Sequence, residues 1–163
     1  MKRVLIANRG EIAVRVIRAA AEAGYVSIAV YADQDADAMH VRLADEAYAL
    51  GGATPADSYL NIARILEVAR EARADAVHPG YGFLSENPDL AAACEANGIT
   101  FVGPSATVLE MAGNKVAAIA EARKAGVPTL ASCPPSTDPD ELIRGAKEIG
   151  FPVFIKAVAG GGG

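Results

Sequence analysis

Lys156 closes an apolar run that begins at Pro152, and after three intervening residues come four glycines, Gly160–Gly163. A lysine at the end of a buried strand is costly unless it meets an anion. A glycine loop beside it can wrap backbone N–H groups around phosphates. Together they point to a lid over a nucleoside triphosphate; the alternative is an exposed strand-end lysine ahead of a flexible linker. The order is the reverse of a Walker A loop, in which the glycines precede the lysine. A second candidate is the segment HPGYGFLSEN, residues 78–87. Gly80 and Gly82 let backbone come close to a ligand, while Tyr81, Ser85 and Glu86 can supply polar contacts. Glu86 also fits as an ordinary acid ahead of the next helix. His78 precedes a proline and has no metal-ligand partner at a suitable spacing, so it reads as structural. The third candidate is a stripe of charge. Glu11, Arg15, Arg18 and Glu22 follow one another at spacings of four, three and four. That spacing puts them on one helix face as two opposite-sign pairs, either a solvated face or a contact surface for a second subunit.

These residues need elements to hold them. RVLIA (3–7), VSIAVY (26–31), EAYAL (46–50), the apolar residues before His78, and ITFVG (99–103) read as five short strands. Between them the sequence predicts a helix from Glu11 that Gly24 terminates, a short helix over 39–43, a helix over 59–72 capped by Ser58, and a helix at Pro88 capped by Asn87. Strands alternating with helices argue for an α/β fold with a Rossmann-like parallel sheet covered on both faces. Yet the first strand–helix turn, NRGEIA, has one glycine where a dinucleotide fingerprint needs three. Glu11 there would also repel a pyrophosphate. Past Gly103 the rhythm changes. Ser105 caps a short helix that Gly113 and Asn114 break, helices follow over 115–125 and 141–149, and a strand is predicted over 152–157. A domain boundary is expected between Gly103 and Val127.

Bulk properties exclude several functions. The net charge is −5, the basic residues are scattered, and Trp is absent. Nothing therefore favours a nucleic acid or an anionic membrane as partner. The N-terminus offers only four apolar residues before Asn8 and Arg9, too few for a signal peptide. Cys94 and Cys133 lie far apart, without a CxxC pattern, which fits a reduced cytoplasmic protein.

Taken together, IANRGEIAVRVIRA, HVRLADEA, SYLN, HPGYGFLSEN, FVGPS, GNK and IKAVAGGGG resemble the biotin carboxylase family, in unbroken order along the whole chain. The resemblance implies a ligase of the ATP-grasp superfamily. Such an enzyme uses ATP, Mg²⁺ and bicarbonate to carboxylate biotin on a carrier domain, by way of carboxyphosphate. It divides the chain into an N-terminal, pre-ATP-grasp domain over 1–113 and a linking helix with the incomplete start of an ATP-grasp domain over 114–163. Lys115, Lys156, Gly162 and Gly163 are then expected at ATP. Tyr81, Gly82 and Glu86 are expected to border the biotin and bicarbonate pocket, and Arg15, Arg18 and Glu22 to lie in a homodimer interface. The metal-binding glutamates, the base and the arginine that stabilises the biotin enolate match nothing in these residues. The chain is accordingly expected to be an N-terminal piece, inactive alone. Expected partners are a biotin carboxyl carrier domain and a carboxyltransferase, which chooses the acceptor among acetyl-CoA, propionyl-CoA, other acyl-CoA thioesters and pyruvate. Two other readings remain: a non-catalytic module that pairs subunits, and an ATP-grasp ligase of another substrate.

Overall fold

The computed structural model describes residues 2–156. The end of the predicted last strand at Ala157, together with Gly162 and Gly163, lies outside them. No helix among the described residues is long and apolar enough to cross a membrane. The chain divides into two compact units, residues 1–109 and 110–163.

The first unit is a five-stranded sheet. β1 (Arg3–Ile6), β2 (Val26–Tyr31), β3 (Glu46–Ala49), β4 (Ala76–His78) and β5 (Thr100–Phe101) lie in the order β3-β2-β1-β4-β5, every pair parallel. Parallel neighbours need crossovers. These are supplied by α1 (Gly10–Glu22), the short α2 (Met39–Leu43), α3 (Ile62–Glu71) and α4 (Pro88–Ala96). Side chains alternate between faces along a strand, and the central strand shows what covers each. Leu5 and Ala7 pack with Ile65, Val68 and Ala69 of α3 and with Leu90 and Cys94 of α4. Ile6 packs with Ala13, Val16 and Ile17 of α1. Both faces are thus covered, as the alternation of elements predicts. Burial in this core pushes the Cys94 thiol up to about 11.

Helix ends follow local chemistry. Gly24 follows the C-cap of α1 at φ +72°, where a side chain would be strained. Asn87 caps α4 by accepting from the Asp89 amide at 2.7 Å, with Pro88 in the first turn. The helix expected over 59–72 starts late, at Ile62. Its cap is Asn61, whose Oδ1 accepts from the Arg64 amide at 3.1 Å. Ser58 instead donates its hydroxyl to the Thr54 carbonyl at 2.6 Å. Tyr59, expected inside the helix, lies in a turn and is buried. The ring is large enough that burying it offsets the loss of one helical turn.

Beyond the sheet, the regular elements among the described residues are helices. α5 (Ala106–Gly113) is followed in the second unit by α6 (Lys115–Lys124) and α7 (Pro139–Ile149). Asn114 caps α6, accepting from the amides of Val116 and Ala117 at 3.1 Å each. Asp138 caps α7 through the Asp140 amide at 2.9 Å, two residues earlier than the sequence predicts. The strand predicted over 152–157 is not formed in its described part. Residues 153–156 have no regular structure, and Phe154, Ile155 and Lys156 are exposed. A strand closes its hydrogen bonds only on a neighbour, and no strand is present among residues 110–156.

Candidate functional site

β1 and β4 are adjacent, yet α1 leaves toward one face of the sheet and α4 packs on the other. A crevice opens at the carboxyl ends of strands where connections diverge in this way. Here it is lined by Asn8, Arg9, Gly10, Glu11 and Ile12 from the end of β1, and by Tyr81, Gly82 and Phe83 from the loop after β4.

Asn8 holds the two sides together. It is buried, and its Nδ2 donates to the Pro79 carbonyl at 2.7 Å and the Tyr81 carbonyl at 2.8 Å. Its Oδ1 accepts from the Arg9 amide at 2.9 Å. The amide is therefore satisfied on both ends, as a buried polar group requires. The approach is close enough to need glycine at position 80. A Cβ there would stand 2.8 Å from Asn8 Nδ2 and 3.1 Å from Ile12 Cγ1, on a backbone at φ +65°. His78 shapes the same turn, its Nδ1 accepting from the Gly80 amide at 3.0 Å. Partial burial holds its pKa below the usual imidazole value. That is the structural part the sequence assigns to it.

Tyr81 is exposed and donates its hydroxyl to the Glu11 carboxylate, a bond that also raises the phenol pKa. The loop after β4 is thereby hooked to the first turn of α1. Of the three residues expected at the pocket border, Tyr81 and Gly82 line the crevice. Glu86 is exposed further along the loop, just before the Asn87 cap, and is not among the lining residues.

Arg15, Arg18 and Glu22 are exposed on α1. Among the described residues no ion pair joins Glu11 to Arg15 or Arg18 to Glu22. Exposed pairs at this spacing gain little against the side-chain entropy they cost, and the two arginines stay open to solvent. Arg15 and Arg18 line a shallow depression with Glu11, Val14 and the exposed Met39; Glu22 lies outside it. In the second unit, Lys115 opens α6 and Lys156 is exposed in the irregular stretch after α7. No group of three or more His, Cys, Asp or Glu side chains suited to a metal occurs among the described residues.

Several residues that build this region have no role in the sequence reading. Asn8 carries the only local signal, a polar residue ending a buried strand beside a glycine turn. Arg9, Asp35, Tyr59 and Phe83 come from four separate loops, and no spacing along the chain predicts that they meet. His40 is also unforeseen. It is fully buried, with Nε2 donating to the Val30 carbonyl at 3.2 Å and Nδ1 without a partner among the described residues.

Comparison with known proteins follows the same division of the chain. Residues 1–109 match the family model for the biotin carboxylase N-terminal domain. Residues 114–163 match that for the ATP-binding domain of the carbamoyl-phosphate synthase L chain. A pyruvate carboxylase subunit of Methanothermobacter thermautotrophicus is 52% identical over 99% of this chain and 33% of its own length. Biotin carboxylase 1 of Bacillus subtilis is 50% identical over 100% of this chain and 36% of its own. The chain thus spans about a third of the length of the curated relatives it matches. Among solved structures, the biotin carboxylase domain dimer of Hydrogenobacter thermophilus 2-oxoglutarate carboxylase superposes with a TM-score of 0.91 at 51% identity. The match covers 99% of this chain and 36% of that one, which was solved with MgADP, ADP and bicarbonate.

Proposed function

This chain belongs to the biotin carboxylase family, and from that premise we propose that it provides one wall of the site at which a cytoplasmic carboxylase uses ATP and bicarbonate to carboxylate biotin. The observation that carries the reading is the crevice at the carboxyl ends of β1 and β4, where Asn8 fixes the backbone of the glycine-containing loop. Tyr81 and Gly82 border the biotin and bicarbonate pocket, with Glu86 at its outer edge. A phenol on a tightly anchored loop can orient a polar ring such as the ureido group without the loop being reordered on binding.

ATP falls to the second unit. Lys115 and Lys156 offer positive charge to phosphate oxygens, and Gly162 and Gly163 are assigned as further contacts to ATP. Fixed positive charge is worth most where phosphate charge is spread over several oxygens. No metal contact is assigned to these residues, and the glutamates that would hold Mg²⁺ are placed further along the full-length enzyme. The partners of such an enzyme are a carrier domain presenting biotin and a carboxyltransferase taking the carboxyl group onward. The exposed arginines of α1, with Glu22, form part of a homodimer interface.

The test is ADP release by a full-length carboxylase whose first third is this sequence. Release should require both bicarbonate and free biotin. Lys115→Met or Lys156→Met should lower kcat/KM for ATP by about a hundredfold, the scale of removing one preorganised electrostatic contact, with the circular dichroism unchanged. Unchanged kinetics in both variants would refute the ATP assignment, and ADP release indifferent to biotin would refute the reaction.

A further inference from the structure

One residue from each of the first four strand-end loops meets in a single cluster beside the crevice: Arg9 after β1, Asp35 after β2, Tyr59 after β3 and Phe83 after β4. Tyr59 is at its centre and is 1% exposed. Its hydroxyl donates to Asp35 Oδ2 at 2.6 Å and accepts from the Ala32 amide at 3.1 Å. Its ring stacks on Phe83, the centroids 5.1 Å apart and the planes 14° from parallel. The Arg9 guanidinium lies 5.6 Å from the Tyr59 centroid and 5.9 Å from that of Phe83. It also pairs with Asp35 at 3.3 Å.

The strain in the loop is what this cluster explains. Phe83 is not a glycine, yet its backbone is left-handed at φ +41°, directly after Gly82 at φ +65°. Such a conformation persists only where the surroundings over-determine it, and it collects at binding sites. Here the surroundings are the Tyr59 ring beneath and the Arg9 guanidinium beside it. Burial and the Asp35 carboxylate raise the Tyr59 phenol pKa, so the hydroxyl stays protonated and remains the donor to Asp35.

We propose that Tyr59 is a positioning residue for biotin: stacked under Phe83 and tied to Asp35, it holds the strained Gly82–Phe83 backbone and so sets where Tyr81 and Gly82 stand in the crevice. This rests on the reading that Tyr81 and Gly82 border the biotin pocket. Tyr59 touches no substrate and acts through Phe83. The ATP-binding lysines belong to the other unit, so the effect falls on biotin and spares ATP.

The experiment is steady-state kinetics of a full-length carboxylase whose first third is this sequence, with free biotin and ATP varied separately. Tyr59→Phe keeps the ring and removes the hydroxyl. It should raise KM for biotin about fivefold, the equivalent of one hydrogen bond, with KM for ATP unchanged. Tyr59→Leu removes the stack as well and should raise KM for biotin further. Phe83→Leu, on the half-exposed side of the stack, should act in the same direction and decides the matter if neither Tyr59 variant folds. If all KM values move together with a fall in Tm, Tyr59 is merely structural and the proposal is overturned. Tyr81→Ala distinguishes the positioning role of Tyr59 from the biotin pocket itself. If it raises KM for biotin while Tyr59→Phe and Phe83→Leu do not, the positioning role fails and the pocket reading survives. If Tyr81→Ala itself leaves KM for biotin unchanged, both fail.

Discussion

The two units of this chain handle their apolar residues in opposite ways. In the first, Leu5, Ile6, Ile28, Val30, Ile65 and Leu90 are fully buried between sheet and helices. In the second, α6 has no buried residue and α7 buries only Gly145. Leu130, Phe154 and Ile155 there are 91%, 90% and 81% exposed. The contrast separates what local sequence can achieve from what it cannot. A helix satisfies most of its own backbone hydrogen bonds, so Asn114 and Asp138 suffice to start α6 and α7. A strand satisfies none of its own, and the apolar run at residues 153–156 remains irregular although its composition suits a strand.

The largest expected effect breaks the comparison at its centre. Leu5→Ala should destabilise the chain by about 2–5 kcal/mol in urea unfolding, through lost burial and the cavity left behind. Phe154→Ala, which removes a larger side chain, should change it by less than about 0.5 kcal/mol, as exposed positions do. Comparable losses in the two variants would mean that residues 110–156 have a core of their own.

The same contrast bears on what the sequence reveals. Strand–helix alternation is legible because each strand is flanked by its own stop signals, and Asn87 with Pro88 marks the start of α4 by a purely local rule. Asn61 is just as good a cap, but the nearby Ser58 obscures it. What decides between them is the burial of Tyr59 against residues far away in the chain. The crevice is half legible. Gly80, Tyr81 and Gly82 announce a loop that approaches something closely. Asn8, which anchors that loop from a position 71 residues earlier, has no signal of comparable strength. The charge stripe on α1 is legible as a face, whereas the pairing its spacing suggests does not form.

A smaller effect concerns charge inside the first core. Burial lowers the His40 pKa below its usual 6.5, against the opposing pull of the Val30 carbonyl and of Asp35. The unfolded chain therefore takes up a proton at a higher pH than the folded one. The stability linked to His40 is complete above about pH 6.5 and is lost as the pH falls through the folded value. His78, also lowered, adds to the same slope. His40→Gln can still donate to the Val30 carbonyl but cannot titrate. It should flatten the dependence of Tm on pH below 6.5, and an unaltered slope would remove His40 from the explanation.

The smallest expected effect on folding belongs to the open face of α1. Arg18→Glu should shift unfolding by less than about 0.5 kcal/mol, since the side chain is exposed. It should nevertheless weaken self-association of the full-length carboxylase, most at low salt where screening is least. A variant that sediments as a dimer at every salt concentration would show that this face is simply solvated.

The most direct test of the account is hydrogen exchange across the loop after β4 in a full-length carboxylase whose first third is this sequence, measured with and without biotin, bicarbonate and MgADP. Exchange at the amides of residues 80–86 should slow when biotin and bicarbonate are present, with β1 unchanged because it is already protected by its neighbours. Protection that appears elsewhere in the protein while residues 80–86 exchange at the same rate would contradict the placement of biotin at this crevice.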